Sequence, residues 1–342
     1  MIRKLLLALL VLVLLAGLAF KELEKRWQQP LKVPALGFVL TVAAGDSLRT
    51  VVNTLSDRGI LTYPNLVVLY GRWTGLDQQI KQGEYLLPEQ LTAEALLLLL
   101  QNGKVIQYQV TLPEGITLAR ALSILAQAQE LEHVLAGSDD ERLSKLVQPH
   151  QLAEGLFFPD SYHYVRGATD WQIVQRAHST MQAVLQLEWQ NRAQELPYET
   201  AYEALIMASI IERETGMPQE RQQIAGVFVR RLQRGMRLQT DPTVIYGLGD
   251  DFDGNLRRKH LADSSNPYNS YRHSGLPPGP IALPGQAAIH AALHPAAGDA
   301  LYFVARGDGG HVFSATLAEH EQAVRKYQLQ RRKNYRSTPE KQ

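Results

Sequence analysis

The chain contains no cysteine. Disulfides and thiolate metal sites are therefore excluded, and an oxidising compartment is permitted without being required. Charge of one sign is also missing: 35 basic residues face 34 acidic ones, for a formal net charge of +1. A balance of that kind offers no electrostatic footprint for nucleic acid. There is no internal repeat, no Gly-x-Ser-x-Gly elbow for a serine hydrolase, and no His-Glu-x-x-His zinc helix. His290 and His294 have the spacing of a helical metal pair, yet Ala-Ala-Leu between them lacks the catalytic glutamate. No metal and no cofactor are expected.

Long apolar runs are scarce too, with one exception at the N-terminus. Arg3-Lys4 precedes an uncharged run from Leu5 to Phe20, followed by the charged cluster Lys21-Glu-Leu-Glu-Lys25-Arg26. At 1.5 Å per helical residue the run spans roughly 24 Å, slightly less than a hydrocarbon core. Flanking Lys and Arg stems make up the difference by snorkelling. Residues 5–20 are therefore expected to cross a membrane once, and residues 1–26 to act as its anchor. A cleaved signal peptide is the alternative, since Gly17-Leu-Ala19 offers a small-residue site.

Residues 27–36, with Pro30 and Pro34, read as a tether. A strand is predicted over 37–42, then a helix over 48–58 capped by Asp46 or Ser47. Further helices are predicted over 64–73 and 92–101, with strands over 80–87 and 105–112. Gly45-Asp-Ser-Leu48 before a helix resembles a LysM domain, a small glycan-binding fold; plain scaffolding is the competing reading. Pro113-Glu-Gly115 marks a domain junction. Beyond it a helix should run from Thr117 to about Gln129, a helical pair over 130–148, and an aromatic turn over 154–164. Helices follow over 171–188, 198–214 and 219–234, the last ending at Gly235. A rigid Pro/Gly loop over 274–285, a hairpin of 301–305 with 312–314, and a helix over 317–329 complete the catalytic part, residues 113–330. The basic tail 331–342 reads as disordered. The fold class expected is α+β.

The chemistry concentrates between Ala208 and Gly249. Glu212 closes the apolar run Ala204-Leu-Ile-Met-Ala-Ser-Ile-Ile211. A carboxyl in such a setting tends to hold its proton near neutrality, because desolvation penalises the charged form. Such an acid suits cleavage of a glycosidic bond. Glu214 competes with it, about 200° further round the helix. Gln239, Asp241, Thr243 and Tyr246 form a polar set around Pro242, suited to sugar hydroxyls, although Asp241 could simply cap a helix starting at Pro242. Tyr268, Asn269 and Tyr271 could stack on or bond to sugar rings. Glu154 and Asp160 are candidates to brace the cleft.

Four blocks carry a resemblance. Ala208-Ser-Ile-Ile-Glu-Arg-Glu-Thr215 and Arg231-Leu-Gln-Arg-Gly-Met-Arg-Leu-Gln-Thr-Asp-Pro-Thr-Val-Ile-Tyr246 are two of them. Glu154-Gly-Leu-Phe-Phe-Pro-Asp-Ser-Tyr162 and Asn266-Pro-Tyr-Asn-Ser-Tyr271, with Gly275-Leu-Pro-Pro-Gly-Pro-Ile281, are the others. Together, and in their order along the chain, they resemble the YceG-like endolytic murein transglycosylases (the MltG family). Departures occur at Leu156-Phe157-Phe158, Asn266 and Leu283, none of them at the proposed acid. The resemblance implies that Glu212 is the catalytic acid and Glu214 a supporting group. It implies cleavage within peptidoglycan glycan strands, leaving a 1,6-anhydro-N-acetylmuramyl end. It further implies a LysM-like subdomain over 37–112, a single-pass inner-membrane protein with a periplasmic catalytic domain, and peptidoglycan synthases as partners. A non-catalytic glycan-binding scaffold is the first rival. A true hydrolase is the second, and it would need another carboxylate facing Glu212; Glu154, Asp160 and Asp241 all stay open for that role.

Overall fold

A computed structural model describes residues 2–329, leaving aside the side chains of 2–8, 19–20 and 329. Its backbone divides into two compact units. The first runs to Gln109 and takes in Glu130–Glu132 and His163–Ala168. The second holds Val110–Gln129, His133–Tyr162 and the chain from Thr169 onward.

In the first unit, α1 (Ile2–Gln28) leads to β1 (Phe38–Val42), α2 (Leu48–Asp57), α3 (Pro64–Thr74), β2 (Gly83–Leu87) and α4 (Ala93–Asn102). The strands pair antiparallel, with Leu40 opposite Tyr85 and Val42 opposite Gly83. Period-two alternation buries Leu40 and Val42 and turns Val39 outward. Helix α2 buries Leu48, Val51, Val52 and Leu55, one stripe at helical spacing. Of the two caps the sequence offers, Ser47 is used: its Oγ accepts the Thr50 N–H at 3.2 Å. Leu96, Leu97 and Leu100 of α4 complete this core, and Trp27 packs on Tyr70 at a 39° tilt with ring centroids 4.3 Å apart.

Among the described residues no helix is long and apolar enough to cross a membrane. The expected span, 5–20, lies partly outside the described side chains. Within α1, residues 9–18 are exposed, with Leu9 at 61% and Leu12 at 66%.

A second two-stranded ribbon joins β3 (Tyr108–Thr111) to β4 (Ser161–Tyr164). The aromatic segment 154–164, read above as a turn, therefore ends in a strand. Tyr162 and Tyr164 are buried and His163 is exposed, an alternation masked in sequence by the ring-bearing run Tyr162-His163-Tyr164.

The second unit contains α5 (Leu118–Leu125), α6 (Glu141–Leu146), α7 (Asp170–Gln190), α8 (Ala201–Glu214), α9 (Arg221–Gln233), α10 (Asp241–Leu248), α11 (Arg258–Ala262) and α12 (Gln286–Leu293). The hairpin β5 (Tyr302–Ala305) to β6 (His311–Ser314) and α13 (Leu317–Val324) follow. The helical pair expected over 130–148 reduces to α6. Asp170, buried at the start of α7, accepts the N–H groups of Val134 and Leu135 (3.1 and 3.3 Å) and ties that stretch down as a loop. The tail 331–342 lies outside the described residues.

Helix α8 is the centre of this unit, packing against α12, α9, α7 and α10. Every residue from Ala204 to Ile211 is buried. Truncating a wholly buried side chain such as Ile210 to alanine would cost about 2–5 kcal/mol. A helix apolar on all faces must be surrounded, and its end is then held in position by its neighbours.

Candidate active site

Glu212 lies in the last turn of α8. The Pro/Gly loop before α12 is pinned to that helix at two points, one turn apart. Ser209, wholly buried, donates its hydroxyl to the Ile206 carbonyl (2.7 Å) and accepts the Ile281 N–H (3.0 Å). Glu212 Oε2 accepts the Gly285 N–H at 3.1 Å. Its Oε1 accepts from Nη2 of Arg221, the first residue of α9, at 3.2 Å. The Glu212 side chain is 6% exposed and that of Arg221 12%.

The apolar surroundings expected for Glu212 are thus not what the fold provides. The carboxyl leaves the apolar run and meets a guanidinium and a backbone amide. The run describes the sides of α8, whereas the carboxyl projects past its end, where α9 and the 281–285 loop bring polar groups.

Two other acids occupy the desolvated positions that the sequence reading assigned to Glu212. Burial pushes the Glu214 carboxyl up to about 7, reinforced by the nearby negative charge of Asp241 and opposed by a 2.9 Å hydrogen bond from the Thr240 hydroxyl. Burial likewise pushes Glu154 up to about 7. Its Oε1 accepts the Leu118 N–H (2.9 Å) and its Oε2 the Tyr246 hydroxyl (3.3 Å). Glu154 thereby joins the start of α5 to α10. Asp160 is exposed, and its Oδ1 accepts its neighbour Ser161's N–H at 2.7 Å.

The polar set around Pro242 lies on a helix, α10, with Thr240 as its N-cap residue and Asp241 at its first position. Asp241 is therefore not the cap that the sequence allowed. Exposed Asp241 accepts the Tyr271 hydroxyl at 2.7 Å. Gln239, also exposed, has a left-handed backbone (φ 51°) unusual for a residue with a side chain. Arg231 holds it there, donating to Gln239 Oε1 at 3.4 Å and to the Leu238 carbonyl at 2.8 Å. Tyr246 and Tyr268 meet edge to face, centroids 4.8 Å apart, and both are partly exposed.

Thr243 and Asn269 differ from the rest of the expected sugar-binding set. Both are wholly buried. The Thr243 hydroxyl donates to the Thr240 carbonyl (2.7 Å) and lies 2.8 Å from Ser270 Oγ. Asn269 Nδ2 faces the carbonyls of His260, Leu261 and Asp263 at 2.6–3.3 Å, and its Oδ1 accepts the Tyr271 N–H at 3.1 Å. These two side chains hold the loop that presents Tyr268 and Tyr271.

One cluster of possible metal ligands occurs among the described residues: Glu188, His290 and His294, with ligand atoms within 4.8 Å of one another. Glu188 lies on α7 and escaped the sequence reading because it is about a hundred residues from the histidines. Its Oε2 is 2.9 Å from His290 Nδ1. Both ring nitrogens of His294 face backbone carbonyls, those of His290 and Asn191, at 3.2 and 2.9 Å. A metal would have to displace His294 from those carbonyls.

The sequence reading also missed Glu114. It sits in the Pro113-Glu-Gly115 loop, with its Oε2 3.7 Å from the same Arg221 nitrogen that binds Glu212. Only the folding of that loop onto α8 could reveal it.

Comparison with known proteins places these features in context. The model of the YceG-like family matches residues 40–326. A Bacillus subtilis (strain 168) protein named endolytic murein transglycosylase is 30% identical over 307 residues, covering 84% of this chain and 84% of its own length. A Streptococcus pneumoniae (strain ATCC BAA-255 / R6) protein of the same name is 28% identical over 317 residues. That match takes in 83% of this chain and 57% of the pneumococcal one. A YceG-like protein of Listeria monocytogenes, with a crystal structure at 2.6 Å, has a TM-score of 0.52 and 27% identity. Here the match covers 83% of this chain and 98% of the other.

Proposed function

The chain belongs to the YceG-like family, and we infer that it is an endolytic murein transglycosylase with Glu212 as its acid. The observation that carries the assignment is the placement of Glu212. It sits at the end of a buried helix, in the segment matching the family's motif, and is oriented by Arg221 and the Gly285 amide. Cleavage begins when this carboxyl protonates the oxygen leaving C1 of an N-acetylmuramic acid ring. The C6 hydroxyl of that ring then attacks C1 and surrenders its proton to the carboxylate. The nucleophile is part of the substrate, so intramolecular proximity replaces an enzymic nucleophile and the product is a 1,6-anhydro end.

Gln239, Asp241, Tyr246, Tyr268 and Tyr271 are the side chains we assign to sugar contacts, because each retains exposed surface. Thr243 and Asn269 shape that surface from beneath. Glu154 and Glu214 brace α10 and the Thr240 turn.

The membrane assignment draws on α1, whose exposed leucines between 9 and 18 form the unpartnered apolar surface that a bilayer would cover. We propose that residues 5–20 cross the inner membrane once and place the rest in the periplasm. The strand–turn–helix of β1, Ser47 and α2 supports a LysM-like reading of 37–112. By family analogy, peptidoglycan synthases are the proposed partners, with nascent strands the substrate.

Mass spectrometry of muropeptides released from purified peptidoglycan tests the reaction. Anhydro ends are expected. Reducing ends, heavier by one water, would identify a hydrolase instead.

A further inference from the structure

The loop that carries Glu114 is built against the acid. The Gly115 N–H donates to the Leu283 carbonyl and the Leu283 N–H to the Ile116 carbonyl, each at 2.8 Å. Arg213 Nη1 donates to the Gly115 carbonyl at 2.9 Å. Gly115 has a left-handed backbone (φ +76°), and a Cβ there would stand 3.6 Å from Glu212 Cγ. At Gly285, whose amide binds Glu212, a Cβ would stand only 1.8 Å from Glu114 Oε1. The missing side chain at 285 is therefore the space into which the Glu114 carboxyl reaches. Arg221 Nη2 lies 3.2 Å from Glu212 Oε1 and 3.7 Å from Glu114 Oε2.

We propose that Glu114 and Glu212 work as an acid pair sharing one proton across Arg221. The proposal rests on the transglycosylase reading above. One cation lies between two carboxyls, so full ionisation leaves a net negative charge, and one retained proton removes it. The ion pairs of Arg221 among the described residues are those with Glu212 and Glu114, and its Nε is buried with no hydrogen-bond partner there. The other charged groups nearby are accounted for. Arg213, beside Glu212 on α8, is directed at the Gly115 carbonyl. Glu220, next to Arg221, is turned to His311 at 2.8 Å. Gly285, the N-cap residue of α12, brings its backbone amide to Glu212. Burial, and then the charge of Glu212, push the Glu114 carboxyl up, and Arg221 opposes them.

The proton count closes over the reaction. The pair gives its single proton to the leaving oxygen as the C1–O bond breaks. It receives the C6 hydroxyl proton as O6 bonds to C1. It ends as it began, and no water is consumed.

The experiment compares wild type, Glu114→Gln and Glu114→Asp, as the whole chain in detergent, acting on purified glycan strands. It records kcat/KM from acid to alkaline pH together with the chemistry of the ends. Glu114 is 48% exposed at its side chain, so both variants are expected to fold. With Gln at position 114 the pair becomes a single acid beside the Arg221 cation, with no second anion next to it. The alkaline limb should move about one pH unit toward acid, as expected for a unit charge several ångströms away and partly in water. That means roughly tenfold less activity on the alkaline side and little change on the acid side. Aspartate keeps the charge and should restore the wild-type limb. Carbon-13 NMR of the side-chain carboxyls should count one proton on the pair near neutral pH. An unmoved limb, or a loss uniform across pH, would overturn the pair. Reducing ends from wild type would overturn the transglycosylase reading instead, whatever the limb does.

Discussion

Replacing Glu212 by glutamine separates chemistry from architecture at this site. The side chain keeps its length and shape, but the amide has no proton of comparable acidity to give. Its surroundings also make the change visible in stability. Both partners of the carboxyl are donors: Arg221 Nη2 on Oε1 and the Gly285 N–H on Oε2. A glutamine can satisfy one of them with its oxygen and must turn its NH2 toward the other. One buried hydrogen bond is lost and a donor is left unpaired, which costs about 1–3 kcal/mol. In a unit of this size that lowers Tm by about 2–4 °C per kcal/mol, leaving the protein folded at assay temperature. Turnover should fall much further, by about 10²–10⁴-fold, the usual contribution of a general acid. Release of anhydro-muropeptides from purified peptidoglycan measures the second effect, and thermal unfolding followed by circular dichroism measures the first. Glu214→Gln serves as the comparison, because its carboxyl is held by Thr240, apart from the Glu212 partners. It should lose far less activity. A folded Glu212→Gln enzyme within tenfold of wild type, or equal losses in the two variants, would refute the assignment.

Glu154 makes a linkage prediction. Its folded-state pKa is raised to about 7 by burial, so the folded state binds the extra proton, and stability falls as pH rises from about 4.5 through 7. Melting temperature against pH should slope downward across that window in wild type and be flatter in Glu154→Gln; equal slopes would contradict the burial argument. Deleting residues 1–26 should leave a folded protein that still cuts isolated glycan, since it spares Trp27 and its packing on Tyr70; a folded but inert product would assign the anchor a chemical role. Chelators should leave activity unchanged, and His290→Ala should keep most of it. Loss with EDTA and rescue by added metal would instead make the cluster with Glu188 and His294 part of the mechanism.

What the sequence settled by itself was local or written in contiguous blocks. The caps at Ser47 and Thr117 start their helices as read, because a side-chain oxygen three residues ahead of an N–H is a local geometry. The buried α8 and the position of Glu212 in its last turn followed from one almost unbroken apolar run. What needed the tertiary structure was anything held together by distant residues. Ser161 to Tyr164 becomes a strand because β3, some fifty residues away, pairs with it. The stretch after Leu131 stays a loop because the buried Asp170 captures its amides. Thr243 and Asn269 look like sugar ligands in a polar motif, and folding turns them inward to carbonyls no pattern could have named. The setting of the acid was decided in the same way. An apolar run predicts a desolvated neighbour for whatever follows it. The groups that meet Glu212, however, come from α9, from the Gly285 amide and, through Arg221, from Glu114, and the electrostatics of a carboxyl depend on charges within a few ångströms and not on residues adjacent in sequence.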